Sequence, residues 1–363
     1  MAPSVPEIRD ITPLPGGVHF VTRLETACLA NLFLGTPTRI LMRIADFKAD
    51  RFPRLEQRIA SIDWELFLPA DTNDLNIQVT TRKSRLYHSD AVAERCRPLI
   101  LERLAAGKAG LPSQASAPAI PGMGQTLMVR ADHDRFVLSL DMSGNPLFKR
   151  GIKQRVVRAP LRENLAFAIL SQLDFSGADI LADPMCGSGT FSLEGAMILA
   201  SAPPGLFRQF AFEAWPGFRE KSFAHARAVV LNNLTPVPPG RIFASDLDRI
   251  AVENLDIALE AHPLFGCITT TSLDFFDIRP PDAPDGNGVV VLNPPYGRRL
   301  GKKTDMTAFF REIGKKLAMD FRGWRTGVIC PERHLADALD FNLRPMPIFH
   351  GGLDLYAGIG TIP

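Results

Sequence analysis

The chain has 363 residues, 46% of them hydrophobic, and 41 Lys and Arg against 39 Asp and Glu for a net charge of +2. That length allows two or three domains with substantial cores, and no run of roughly 18 apolar residues is present to cross a membrane. The five cysteines are odd in number and never spaced as CxxC, and the seven histidines never pair as HxxH or HxxxH, so neither a disulfide framework nor a metal site is expected. The amino terminus carries Glu7, Asp10 and prolines rather than a basic start and an apolar stretch, which predicts a cytoplasmic protein.

Taken in chain order, 16–20 reads as a strand after a short proline-rich lead, 52–62 as a mixed helix and strand pattern, and 75–79 as a strand. A helix is predicted over about 89–104. The stretch 105–125, rich in Ala, Gly, Ser and Pro, reads as a loop, and 126–130 with 135–140 flank Asp132-His133-Asp134 as a β-hairpin. Two basic stretches interrupt this part. One holds Arg82, Lys83, Arg85, Arg95 and Arg97 against Asp90 and Glu94; the other holds Lys149, Arg150, Lys153, Arg155, Arg158 and Arg162 with no acid between 144 and 162. Such clusters are most often solvated faces, but two in one chain favour a polyanionic partner. A domain boundary is placed near 149–162.

Beyond it, strand-like and helix-like segments alternate, the signature of a doubly wound α/β domain. Strands are predicted at 180–182, 241–245, 267–270, 288–292 and 326–330, with an insertion at 201–217 before a helix near 223–234; the last strands are too weakly patterned to place. The first strand ends in a glycine loop, Asp183-Pro184-Met185-Cys186-Gly187-Ser188-Gly189-Thr190, the second at Asp246, the third before Asp274-Phe275 and the fourth at Asn293-Pro294-Pro295-Tyr296.

A glycine loop between strand and helix lets backbone approach a ligand and presents N–H groups to a polar one. This loop lacks the GxGxxG pattern of dinucleotide sites and the GK[ST] ending of a triphosphate loop. Asp246 is placed to accept from both hydroxyls of a ribose, and Asp274 to take an adenine amino group while Phe275 stacks on the base. Either acid alone reads equally well as a helix cap or turn residue. The two prolines force the chain out of the sheet in a fixed turn, which would aim the Asn293 amide, the Pro294 carbonyl and the Tyr296 ring at a planar nitrogen acceptor. That pairing of loop, acids and turn predicts S-adenosylmethionine as methyl donor.

DPMCGSGT, SDLD, LDFFD and LNPPYGRRLG together resemble the catalytic domain of the THUMP-associated RNA guanine N2-methyltransferases, closest to the bacterial 23S rRNA enzyme. Residues 76–88, NIQVTTRKSRLYH, with the following AVAER, are similar to the central THUMP motif, and the likeness covers most of the chain. The resemblance implies a Rossmann-like class I methyltransferase domain at 151–363, preceded by an α+β THUMP RNA-binding domain at 46–150 and a partial ferredoxin-like portion at 1–45. It makes Asp183, Pro184, Cys186, Gly187 and Gly189 the cofactor loop, Asp246 the ribose acid, Asp274 the adenine contact, and Asn293, Pro294, Pro295 and Tyr296 the target-base site, with Asn293 also near the cofactor. Arg82, Lys83, Arg85, His88, Lys149 and Arg150 become candidate RNA contacts. The expected substrate is rRNA, with tRNA as the alternative. A chain ending at Pro363 is expected to lack the second methyltransferase domain fused to some bacterial relatives. NPPY also resembles DNA adenine and protein glutamine methyltransferases, and a non-catalytic RNA-binding assembly factor is the reading from another class.

Overall fold

The computed structural model describes residues 8–107, 124–152, 161–281, 288–295 and 305–363. They form two compact units, one of residues 1–147 with 208–228, the other of 148–207 with 229–363.

The first unit opens with a two-stranded antiparallel ribbon, β1 (Arg9–Leu14) and β2 (Gly17–Val21), followed by α1 (Leu24–Phe33). Its main sheet has the order β3-β6-β5-β4, built from β3 (Leu41–Lys48), β4 (Leu75–Arg82), β5 (Gln125–Asp132) and β6 (Arg135–Asp141). Only the β4–β5 pair is parallel. Helices α2 (Phe52–Ala60) and α3 (Ser89–Gly107) lie between strands in the chain. Alternate strand residues, Leu75 and Ile77, Leu127 and Val129, Phe136 and Leu138, are buried with Val92, Cys96, Ile100 and Leu104 of α3. The period of two meets a helical period of four, so one sheet face is core and the other is polar.

The segment 208–228, assigned from sequence to the methyltransferase domain, completes this core instead. Phe210, Phe212, Trp215 and Phe223 are buried there, the Trp215 indole donates to Gln125 Oε1 at 2.7 Å, and the Arg208 guanidinium donates to the carbonyls of Ser143, Asn145 and Pro146. Residues 208–217 of the expected insertion, and the start of the helix after it, carry too many aromatic rings to stay solvated.

The second unit starts with α4 (Glu163–Gln172). Then follow β7 (Ile180–Asp183), α5 (Thr190–Leu199), α6 (Glu220–Asn232), whose start lies in the first unit, β8 (Ile242–Asp246), α7 (Arg249–Glu260), β9 (Ile268–Ser272) and β10 (Gly288–Leu292). The chain closes with α8 (Met306–Asp320), β11 (Arg325–Cys330), α9 (Arg333–Asp337), β12 (Arg344–His350) and β13 (Leu353–Thr361). The seven strands run in the order β12-β13-β11-β10-β7-β8-β9, parallel from β9 to β11, with β13 antiparallel to β11 and β12 antiparallel to β13. All five residues of β10 are buried. Val289 and Val291 join the core containing Ile169 of α4 and Ala196 of α5, and Val290 and Leu292 the core containing Phe310 and Ile313 of α8. A continuous apolar strand is what a parallel sheet covered on both faces requires. The last two strands eluded sequence reading because Pro345 and Pro347 break the β pattern; an edge strand such as β12 tolerates them.

Candidate active site

Strand order reverses between β7 and β10, which pair side by side with Ala182 opposite Val290. From there the sheet runs through β8 to β9 on one side and through β11 on the other, and ligands of open α/β sheets bind at the carboxyl ends of strands at such a reversal. Asp183 ends β7 and Asn293 follows β10, so the two loops singled out from sequence flank this point.

Asp183 is fully buried, and its Oδ2 accepts from the Ser192 hydroxyl at 2.7 Å and the Ser192 amide at 3.2 Å. The carboxylate thus ties the strand tip to the first turn of α5, where a negative charge is favoured by the helix dipole. Gly187 and Gly189 both have left-handed backbone, with φ of +52° and +69°. A Cβ on Gly189 would lie 2.4 Å from Leu255 of α7, whereas one on Gly187 would meet no atom within 4 Å. Gly189 is needed for packing; Gly187 leaves open space in front of the loop. Cys186, just before them, is buried, and burial, followed by the charges of Asp183 and Asp246, pushes its thiol well above the usual cysteine range. It is a neutral packing group, not a nucleophile.

Asp246 ties the second strand tip to the same loop. Its Oδ2 accepts from the Gly187 amide at 2.8 Å and its Oδ1 from the Asp248 amide at 2.9 Å. Asp274 accepts from the Phe276 amide at 3.0 Å and caps the short turn Phe275–Asp277. Asp274, and Asp246 through Asp248, thus fill the turn role that sequence left open for them, Asp246 also holding the glycine loop, and a carboxylate with about four acceptor positions keeps capacity for a ligand. Phe275, expected to stack on adenine, is instead 3% exposed in the core with Val290 and Phe310. The two consecutive rings pack edge to face, and Phe276 is the one that reaches solvent. Sequence reasoning also missed Leu247, 73% exposed beside Asp246; an apolar residue inside SDLD carries no mark of its own.

At the fourth tip the Asn293 side-chain oxygen is buried and accepts no hydrogen bond among the described residues. An unsatisfied buried acceptor costs about 1–3 kcal/mol, so this oxygen is poised for an incoming donor. Pro294 is buried and Pro295 half-buried. Tyr296, and the basic residues Lys153, Arg155 and Arg158, lie outside the described residues. Among the described residues no His, Cys, Asp and Glu side chains group to hold a metal ion, and no helix is long and apolar enough to cross a membrane.

The candidate RNA contacts divide. Arg82, the last residue of β4, and Lys83, Arg85 and His88 on the loop after it are exposed, and Lys149 is exposed in the second unit. Arg150 is a correction: it is 3% exposed, and its guanidinium donates to both carboxylate oxygens of Glu194 on α5 at 2.9 and 3.2 Å. A basic run could not reveal a buried acid 44 positions away.

Residues 150–355 match the family model described as the RMKL-like methyltransferase domain. The chain is similar to the ribosomal RNA large subunit methyltransferase K/L of Syntrophotalea carbinolica, 31% identical over 361 residues that cover 95% of this chain and 49% of that protein. It thus spans about half the length of such relatives. It is also similar to slr0064 of Synechocystis sp., provisionally named an RNA methyltransferase, at 30% identity over 95% of this chain and 88% of that one. Among solved structures, SMU.472 in complex with S-adenosylhomocysteine superposes with a TM-score of 0.83 at 25% identity, covering 98% of this chain and 92% of that one. With a match over residues 150–355, more than half of the chain, and a glycine loop, strand-tip acids and Asn-Pro-Pro segment at the sheet edge, the chain belongs to the RMKL-like methyltransferase domain family (UPF0020).

Proposed function

We propose that the chain is an S-adenosylmethionine-dependent RNA methyltransferase that modifies the exocyclic N2 of a guanine, in 23S rRNA, in the cytoplasm. The observation that carries this reading is the Asn293 oxygen at the reversal point of the sheet, buried and without a hydrogen-bond partner among the described residues. The relatives' names support rRNA as the substrate class.

S-adenosylmethionine supplies a methyl already activated on a sulfonium. The open space before Gly187 and the remaining acceptor positions of Asp246 and Asp274 fit its polar and ribose parts, and Leu247 and Phe276 offer apolar surface to its base. The protein's task is to align the nucleophile. An exocyclic amine is a poor nucleophile because its lone pair is delocalised into the ring. Donating its hydrogens to Asn293 Oδ1 and the Pro294 carbonyl turns that lone pair out of the ring and favours the positive charge that develops on nitrogen. No strong base is required, since the methylated ammonium-like nitrogen sheds its proton readily. Tyr296, the next residue in the sequence, is assigned the stacking of an extruded base.

In this reading the first unit is a THUMP-type RNA-binding domain, behind a partial ferredoxin-like portion, that presents the substrate. The deciding experiment supplies methyl-labelled S-adenosylmethionine with undermethylated rRNA, tRNA and DNA, then identifies the labelled nucleoside. N2-methylguanine in 23S rRNA is expected. The same nucleoside in tRNA alone would move the substrate, and N6-methyladenine, or label only on protein, would overturn the assignment.

A further inference from the structure

One end of the four-stranded sheet, where β3, β4 and β5 finish and β6 begins, carries several basic residues and an exposed aromatic pair. Strand register sets Arg82 beside Asp132, Asp132 beside Arg135, and Arg135 beside Lys48. The loop after β4 is fastened to the turn between β5 and β6. The Arg85 amide donates to Asp134 Oδ1 at 2.6 Å, the Asp134 amide to Ser84 Oγ at 3.1 Å, and the His133 amide to the Arg82 carbonyl at 3.1 Å. The Thr81 hydroxyl holds the far side of the loop, donating to the Tyr87 carbonyl at 2.8 Å. Tyr87 therefore stands on a fixed frame.

Its ring has no packing explanation. A residue just before a helix often folds down onto the first turn, and here Val92 of that turn is filled into the core while Leu86 is 7% exposed. Tyr87 instead remains 63% exposed, its ring resting on the His88 imidazole with 4.0 Å between centroids. At the same end of the sheet, Arg135 is bound to both oxygens of Asp46, and Arg54 and Arg85 share Asp50. Arg82 and Lys83 make no ion pair among the described residues. A flat exposed ring at the foot of a loop that also carries two cations matches the chemistry of an unpaired nucleotide, a base to stack and phosphates to neutralise.

We propose that Tyr87, backed by His88, stacks an unpaired base of the RNA substrate while Arg82 and Lys83 hold the adjoining phosphates. The inference rests on RNA being the substrate, as proposed above. The test measures binding of the full chain to a fluorescent, unstructured oligoribonucleotide of about 12 residues, within the span such sites cover, across a salt series. Tyr87→Ala is expected to weaken binding about ten-fold or more with the slope of log affinity against log salt unchanged, and Tyr87→Phe to bind as wild type. Replacing Arg82 and Lys83 together by Ala should flatten that slope by about 1.4, or 0.7 for each single-strand phosphate that is no longer neutralised. Wild-type affinity in Tyr87→Ala, with the Arg82 and Lys83 variant weakened, would overturn the stacking role and leave the RNA reading intact. No binding of any RNA by the wild-type chain would overturn both, and a protein partner captured through Tyr87 in that case would replace the occupant.

Discussion

The Gly187 amide donates to Asp246 Oδ2 at 2.8 Å, so the acid at one strand tip holds the glycine loop that leaves its neighbour. One carboxylate thereby shapes the loop and, in the proposed function, faces the ribose. Asp246→Ala should weaken S-adenosylmethionine binding roughly ten-fold or more, the loss of one or two charge-assisted hydrogen bonds at about 1.5–3 kcal/mol each. Asp246→Asn keeps one acceptor and should fall between. Calorimetric titration distinguishes them, and equal affinity in all three proteins would refute the double role.

Asn293→Ala removes the buried oxygen without touching the glycine loop. Turnover should drop by a factor of about 10²–10³ or more, as for loss of a preorganised polar group that acts in the transition state, while the cofactor Kd changes little. Single-turnover methylation and equilibrium binding separate these effects. Normal turnover in this variant would sink the alignment mechanism.

The Arg150–Glu194 pair, with both side chains about 2% exposed, is a buried charge pair in the unit that carries the glycine loop. Deleting either partner breaks this buried pair, so Glu194→Leu and Arg150→Met should each cost about 3–5 kcal/mol of stability. Their combination should recover much of that loss, because paired apolar replacements remove the desolvation cost as well. Denaturant unfolding of the four proteins gives the coupling, and strict additivity would show that the pair contributes nothing as a pair.

All five cysteines are buried, and burial pushes the thiols of Cys28, Cys96 and Cys330 up to about 12. In the unfolded chain they ionise near the ordinary value of 9.0. Between those values the unfolded state releases protons that the folded state keeps, so stability should fall as pH rises above about 9. Urea midpoints measured from about pH 8 to 10.5 test the sign, and a rise over that range would contradict it. The same burial predicts that iodoacetamide leaves the native thiols unmodified near pH 8 and labels them on unfolding.

The second unit was legible because its signals are local. A continuous apolar strand such as Gly288–Leu292, a glycine loop at Asp183 to Thr190 and two prolines after Asn293 each state their own backbone geometry within a few residues. Sequence alone sufficed for the α/β class, the strand tips and the loops that meet at them. What a side chain does among distant neighbours was not legible. Phe275 and Phe276 are the same residue type in adjacent positions, and only packing against Phe310 and Val290 decides which ring is core. Arg150 read as one more charge in a basic run until Glu194 was brought against it, and the aromatic segment 208–228 joined the first unit because that core had room for its rings. Local backbone preference is written in neighbouring residues, whereas burial and charge pairing depend on what folding brings together, and those two terms alone decide the burial of Phe275 and the pairing of Arg150.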